Sequence, residues 1–301
     1  MRNKKILVVG GTGFIGYHLI KFLIKKNFQV TSVSTKKPIK IRRLKDVKYL
    51  YFDISKIKNF VKLDKNYNYV VNLGGYVDHS NKRLTYNSHF LGCRNLVNFF
   101  ENKDISSFVQ IGSCLEYGRL ESPQKENNGL NPLSTYSRSK YLATKLLLKK
   151  YKQKKFPVII LRGYQIYGPK QDNNRLISSV IINCLKNKSF FCSPGHQLRD
   201  FIHVDDFVNA IYKSLKNKNA IGKVINIGYG KPFRVKDVIL LINKIIKKGK
   251  PIFNKIKLRN DEIIILYPSI KKARKILNWR PRINFFEGLK KTITNYKKLY
   301  I

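Results

Sequence analysis

The first half of the chain alternates short apolar runs with longer stretches of helical spacing. Lys5–Val9, Gln29–Ser34, Lys48–Phe52, Tyr69–Leu73, Ser107–Ile111 and Val158–Leu161 read as strands. Gly13–Lys26, Leu84–Asn102 and Thr135–Lys154, lying between them, read as helices. This alternation predicts a parallel, doubly wound α/β sheet with helices on both faces, where ligands sit beyond the carboxyl ends of the strands. Beyond residue 168 the pattern loosens. Gly168–Asn174 and Ser193–His196 are turns, Phe201–Val204 is an apolar run, and Leu176–Lys186, Asp237–Ile246 and Lys271–Leu277 have helical spacing. The expected organisation is a main domain over 1–168, with 201–228 returning to its sheet, and a smaller C-terminal lobe from 169–200 and 229–301.

The turn after the first strand carries the first chemical signal. Gly10-Gly11-Thr12-Gly13-Phe14-Ile15-Gly16 follows Ile6–Val9 directly and opens a helix. Gly10 and Gly11 suit a tight turn, Gly13 lets the backbone approach a pyrophosphate, and Gly16 lets helix pack on strand. The helix N-terminus adds free N–H groups and the positive end of its dipole. In this strand–turn–helix–strand setting the motif predicts a Rossmann-type dinucleotide site, with Gly10, Gly13, Phe14, Ile15 and Gly16 as cofactor contacts. The alternative is a strand–helix turn that merely needs small residues.

Composition changes this picture little, except in charge. The chain has 301 residues, 43% of them hydrophobic, with 18 Phe and 18 Tyr, enough for a sizeable core. No apolar run has membrane-spanning length, and the run behind the basic N-terminus is a strand, not a signal-peptide core. Cys93, Cys114, Cys184 and Cys192 are scattered without metal-ligand spacing, so a cytoplasmic protein with reduced thiols and no metal is expected. The 61 Lys and Arg against 17 Asp and Glu give a formal net charge of +44. The basic residues are spread along the whole chain, as on a solvated surface and not as in a nucleic-acid-binding arm. They would still attract anionic substrates.

Tyr136 and Lys140 stand four residues apart on one predicted helix face. Bringing a phenol from ~10 to ~7 takes roughly 4 kcal/mol of preferential phenolate stabilisation, which a nearby lysine and an oxidised nicotinamide would jointly supply. Such a tyrosine exchanges a proton with an alcohol or ketone while hydride moves. The spacing recurs at Tyr17/Lys21, Tyr141/Lys145, Tyr151/Lys155, Tyr212/Lys216 and Tyr267/Lys271. Context selects Tyr136, because Ser113 lies at the carboxyl end of the strand 107–111 and a turn-rich stretch then leads into the Tyr136 helix.

With these motifs in order, the chain resembles the extended short-chain dehydrogenases/reductases of the nucleotide-sugar epimerase/dehydratase group. The similarity runs nearly end to end, through Gly112–Gly118, Arg162…Tyr167-Gly168-Pro169, Arg199–Asp206, Asn226-Ile227-Gly228, Arg259…Glu262 and Trp279-Arg280-Pro281. The resemblance implies that Ser113 and Lys140 assist Tyr136 and that Asp53 and Ile54 flank the adenine. It also implies that Arg199 and Arg259 hold the nucleotide diphosphate of a sugar substrate, and that a homodimer forms through the 84–102 and 135–154 helices. His203 would be structural. For Arg199 the competing role is an ion pair with Asp200 or Asp205, and for Arg259 a pair with Glu262.

Departures from the family pattern refine the expectation. Ser34-Thr35-Lys36-Lys37 stands where NAD-preferring relatives carry an acid, so NADP is favoured over NAD. Cys114 and Leu115 replace the acidic pair of the dehydratases, and Glu116, one place later, points elsewhere. His89 replaces an Asn near the nicotinamide ribose, and Gln165 replaces a substrate-contacting Asn. The leading expectation is an NADPH-dependent 4-keto-6-deoxy nucleotide-sugar reductase, similar to those serving surface polysaccharides. The alternatives are a UDP-hexose 4-epimerase with tightly bound NAD, and a non-catalytic nucleotide- or RNA-binding protein on the same fold.

Overall fold

A computed structural model describes residues 4–258 and 261–300. The chain runs through β1 (Lys5–Val9), α1 (Phe14–Ile24), β2 (Gln29–Ser34), β3 (Val47–Tyr51), β4 (Tyr69–Asn72), α2 (Lys82–Tyr86), α3 (Gly92–Phe100) and β5 (Ser107–Ser113). It continues through α4 (Thr135–Lys154), β6 (Val158–Gly163), β7 (Gln165–Tyr167), α5 (Leu176–Leu185), β8 (Ser189–Phe191), β9 (Leu198–His203) and α6 (Val204–Leu215). The remainder is β10 (Val224–Ile227), β11 (Pro232–Arg234), α7 (Val235–Ile246), β12 (Lys250–Ile252), β13 (Ile265–Leu266), α8 (Lys271–Leu277) and α9 (Phe285–Tyr300).

Seven strands form one parallel sheet in the order β10-β6-β5-β4-β1-β2-β3. The expected doubly wound α/β sheet is therefore present. From β1 the chain winds outward to β2 and β3, then returns to β4 on the other side. This reversal between β1 and β4 opens a crevice at the carboxyl ends of the strands. Alternate residues of β1 feed opposite layers: Ile6 and Val8 pack with Leu19, Ile20 and Phe207, whereas Leu7 and Val9 pack with Leu96, Val97 and Leu147. Each such fully buried side chain contributes about 1.5–3 kcal/mol. A third core, between α5, α7 and α9, belongs to the C-terminal part of the chain.

Several elements depart from the sequence reading. The helix expected over 84–102 is broken, because a π-helical turn over residues 87–91 separates α2 from α3. Apolar spacing continues through that turn, which hides it from periodicity, and such turns concentrate at functional sites. Of the segment 201–228, only Val224–Ile227 joins the main sheet. Leu198–His203 instead lies in a separate small sheet with β11, β13 and β7. α9 has no counterpart among the elements that the sequence pattern predicts. Its Lys-rich surface dilutes a narrow apolar stripe of Phe285, Leu289, Ile293 and Tyr296.

Candidate active site

A cleft of about 680 Å³ lies over the carboxyl ends of the strands, floored by the glycine turn. Gly10 has φ +79°, a left-handed conformation that L side chains rarely adopt, and a Cβ there would come within 2.9 Å of the Leu73 carbonyl. A Cβ at Gly16 would lie 2.3 Å from Gly10 O, so only glycine lets α1 approach the turn this closely. α1 starts at Phe14 behind Gly13, which supplies no side-chain cap. Gly10, Gly13, Phe14, Ile15 and Gly16 all line the cleft.

The end of β2 forms the next wall. Ser34 Oγ accepts a hydrogen bond from Thr12 N–H at 3.3 Å, which ties this strand end to the glycine turn. Ser34, Thr35 and Lys36 line the cleft; Lys37 is exposed and lies outside its lining, because the chain has already turned away from the sheet. Asp53 and Ile54 line it from beyond β3. Asp53 accepts from Ser55 N–H at 2.8 Å, a local turn that presents this acid to the cleft.

Ser113, Tyr136 and Lys140 converge where β5 meets the first turns of α4. Ser113 ends β5, is buried, and accepts from Leu115 N–H at 3.2 Å. Lys140 is buried, donates Nζ to Ile111 O at 2.8 Å, and stands 6.0 Å from the centroid of the Tyr136 ring. Burial pushes the Tyr136 phenol up to about 12, against the opposing pull of a hydrogen bond with Ser113. Burial also lowers Lys140 to about 8, with the Glu116 carboxylate raising it. The phenol is thus neutral in the protein alone, and any lowering towards neutrality must come from what the cleft binds.

Two histidines frame Tyr136. His79 stacks on it with centroids 4.0 Å apart and planes 15° from parallel, while His89 meets it edge-on at 4.9 Å. His89 is buried in the π-helical turn, with Nε2 3.3 Å from Tyr76 O, and desolvation lowers its pKa to about 2, so the ring is neutral. A Cβ on Gly75 would fall 2.1 Å from the His89 ring, so Gly75 makes room for it. In the sequence His89 stands out only as a substitution, and His79 does not stand out at all. The signal was its place in the loop that follows the carboxyl end of β4.

The acid–base possibilities around Ser113 are narrow. Glu116 is fully buried and turned into the core: Oε1 accepts from Ser113 N–H at 2.8 Å, and Oε2 accepts from Thr144 at 2.9 Å and from Arg162 at 3.0 Å. Cys114 is buried with its thiol pushed up to about 12 by desolvation, and Leu115 has no titratable group.

On the opposite wall, Gln165 lines the cleft and is exposed. Arg175 also lines it, and among the described residues its guanidinium has no hydrogen-bonding or ion-pair partner. Arg199 is buried and engaged: it pairs with Glu262 and donates to Leu198 O at 2.9 Å and Ile264 O at 3.1 Å. Its carboxylate partner is therefore neither Asp200, which accepts from Tyr229 and Gly230 N–H groups, nor Asp205. Arg259 lies outside the described residues. His203 Nδ1 accepts from Asp205 N–H at the start of α6, the structural place expected for it.

Residues 6–228 match the sequence profile of the NAD dependent epimerase/dehydratase family. The chain belongs to this family. It is 29% identical to a putative UDP-glucose 4-epimerase of Methanocaldococcus jannaschii, over 96% of this chain and 97% of the relative. It is also 29% identical to dTDP-D-glucose 4,6-dehydratase of Homo sapiens, over 98% of this chain and 90% of that one. Among solved structures it is similar to UDP-glucuronic acid 4-epimerase from Bacillus cereus, in complex with UDP-glucuronic acid and NAD. That match has a TM-score of 0.89 at 25% identity and covers 98% of this chain and 100% of the other. The protein is thus an NAD-dependent enzyme of the nucleotide-sugar epimerase/dehydratase type.

The residues present fit the dinucleotide of this family. The uncapped N-terminus of α1 and the turn that a Cβ at Gly10 or Gly16 would fill make a cradle suited to phosphates. Among the described residues no cluster of His, Cys, Asp or Glu is arranged to hold a metal ion. No described helix is long and apolar enough to cross a membrane.

Proposed function

We propose that this protein is a UDP-sugar 4-epimerase that works with a resident NAD. The observation that carries the reading is the cluster of Ser113, Tyr136 and Lys140 at the carboxyl end of β5. One acid–base tyrosine stands there beside Ser113 and Lys140, with Cys114 and Leu115 in the positions from which a dehydratase works on sugar C5 and C6. Inversion at C4 needs one proton taken from O4 and returned to it, which a single phenol can do. Elimination of water needs a further acid–base pair. The 4-epimerases among the similar proteins support the same choice.

In this reading the glycine turn holds the pyrophosphate of the cofactor, Ser34–Lys36 and Asp53-Ile54 flank its adenosine, and Gln165 contacts the sugar. Bound NAD supplies the hydride acceptor and donor at C4. Ser113 Oγ orients the sugar O4 towards Tyr136, which removes its proton as the alcohol is oxidised and returns it after the ketone has turned over. Lowering the Tyr136 phenol from about 12 to near neutrality takes roughly 7 kcal/mol, which the bound cofactor and sugar have to supply, while Lys140, protonated below about pH 8, keeps a positive charge near the ring. Arg199 and Arg259 bind the diphosphate, Arg199 exchanging its Glu262 contact for phosphate oxygens. The enzyme is a homodimer through α3 and α4, and acts in the cytoplasm.

A second reading is favoured by one observation. Ser34, Thr35 and Lys36 give the cleft two hydroxyls and an ammonium, with no carboxylate, where an adenosine 2′-phosphate would lie. This suits NADPH and an exchanging reductase. The test is to denature the purified protein, identify the nucleotide released, and assay UDP-glucose and UDP-glucuronic acid for C4 inversion without added cofactor. Released NAD with inversion of either sugar supports the epimerase. Stoichiometric NADPH oxidation on a 4-keto sugar, with no inversion, overturns it.

A further inference from the structure

Two segments meet beside the cofactor cleft and are locked together by one arginine, Arg42, whose carboxylate partner Asp172 lies 130 residues further along the chain. The first follows β2 and Ser34–Lys36 and ends in the turn at Arg42. The second, Pro169–Asn173, follows β7. Arg42 is only 6% exposed although it lies in a surface turn. Its Nε and Nη2 donate to Lys170 O at 3.0 and 2.5 Å, and Nη2 also donates to Asp172 Oδ1 at 2.7 Å. A planar fork that takes a carbonyl and a carboxylate together is a use to which arginine is suited and lysine is not.

The tie is braced from beneath. Lys170, held at φ +61°, donates Nζ to Tyr17 OH at 2.7 Å and to Ile41 O at 2.6 Å. His18 Nε2 lies 2.8 Å from Pro169 O. Tyr17 and His18 belong to α1, whose first residues form the phosphate cradle. On the far side, Tyr296 of α9 donates to Gln171 O at 2.6 Å. The tie therefore joins the turn after β2, the helix under the phosphates and the C-terminal core.

Its position bears on the cofactor. Thr35 and Lys36 line the main cleft from one side, and Gln171 and Asp172 line it from the other. Gln171 and Asp172 also line a second cavity of about 400 Å³, which has Arg42 in its wall. The Arg42–Asp172 contact thus stands at the boundary between cleft and second cavity, closing the gap between the two segments beside the adenosine half of the site.

We propose that Arg42 is a cofactor-retaining residue: its clasp on Lys170 and Asp172 keeps a bound dinucleotide in place through many turnovers. The inference rests on the resident NAD of the proposed epimerase. It addresses a different property, residence time and not chemistry. A 4-epimerase regenerates its cofactor in every cycle and gains from a closed clasp, whereas a reductase must open this gap at each turnover to exchange spent cofactor.

The experiment loads purified protein with NADH and follows loss of its bound fluorescence after addition of excess NAD, with no sugar present. This reads release even if the epimerase assay fails. Wild type is expected to release NADH over minutes or longer. Arg42→Gln, which removes the fork, and Asp172→Ala, which removes only a half-exposed acceptor, are each expected to release it at least tenfold faster. Release from both variants at the wild-type rate overturns the proposal, and so does wild-type release within seconds. Asp172→Ala keeps the test valid should Arg42→Gln fail to fold.

Discussion

His79 lies flat on the phenol ring of Tyr136, 4.0 Å away and within 15° of parallel. The contact joins the loop after β4 to the start of α4, and with His89 at the ring edge it confines the phenol from two sides. A stacked pair of this kind contributes about 0.5–1.5 kcal/mol, a factor of roughly three to ten. His79→Ala should therefore lower kcat by about three- to tenfold, and His79→Phe, which keeps a flat ring, should stay near wild type. Equal losses in both variants would show that the imidazole nitrogens matter and not the stack.

Tyr136→Phe keeps the ring between the two histidines and removes only the hydroxyl. General acid–base groups contribute about 10²–10⁴-fold, so turnover should fall by at least 10² while NADH still binds with unchanged stoichiometry. Stopped-flow or discontinuous assays of C4 inversion, paired with fluorescence titration, separate the two effects. A variant that keeps near-wild-type turnover would remove Tyr136 from the chemistry.

Lys140 connects the site to pH. Burial lowers its pKa from 10.5 to about 8, so between these values the folded protein has released a proton that the unfolded chain still holds. Stability rises with pH wherever the unfolded state binds more protons, so this group's contribution grows from about pH 8 to about pH 10.5 and is absent below. Activity moves the opposite way, because the deprotonated amine no longer supports a phenolate. The ligand-free protein should thus gain unfolding midpoint across the window in which kcat/KM declines. Lys140→Met should flatten the stability trend, and an unchanged slope in that variant would assign it to another group.

What was legible in the sequence was local. The glycine turn, the Ser113 strand end and the Tyr136/Lys140 spacing are each fixed by a few neighbouring residues, so their placement followed from strand–helix alternation. The Glu116 carboxylate could be seen to stand in the wrong place for dehydration, but not that Arg162, Thr144 and Ser113 N–H hold it in the core. Lys37, read as a cofactor contact by adjacency, is exposed and does not line the cleft, whereas Ser34, Thr35 and Lys36 do. The Arg42 clasp, the His79 stack and the Arg199–Glu262 pair depend on segments distant in sequence, and no local pattern encodes them.

The Glu116–Arg162 pair makes a separate prediction about stability. Both groups are essentially inaccessible, Glu116 at 0% and Arg162 at 2% exposure, and Arg162 also lies 4.5 Å over the Tyr117 ring. Removing one partner strands a buried charge, which costs about 3–5 kcal/mol. Glu116→Ala should lose that much in urea unfolding of the ligand-free protein, and Glu116→Gln, which keeps acceptors for Ser113 N–H and Arg162, should lose less. Glu116→Ala with an unchanged urea midpoint would mean that the pair is replaced by water or by repacking.

The end of β2 at Ser34 makes a prediction about how sharply the two dinucleotides are distinguished. Ser34 Oγ already accepts from Thr12 N–H, and no carboxylate stands beside it at the end of β2 to bind the ribose hydroxyls or to repel a 2′-phosphate. Discrimination should therefore be weak, with the dissociation constants of NADH and NADPH within about tenfold of one another, or about 1.4 kcal/mol. Ser34→Asp restores the missing charge. It should weaken NADPH binding at least tenfold by repulsion while leaving NADH binding unchanged or tighter. Lys36→Ala should weaken NADPH alone, because only the 2′-phosphate offers that ammonium a partner. Fluorescence titration of both dinucleotides against the three proteins reads all of this directly. A wild type that already rejects NADPH by more than 10²-fold would show that another part of the cleft, and not the end of β2, makes the choice.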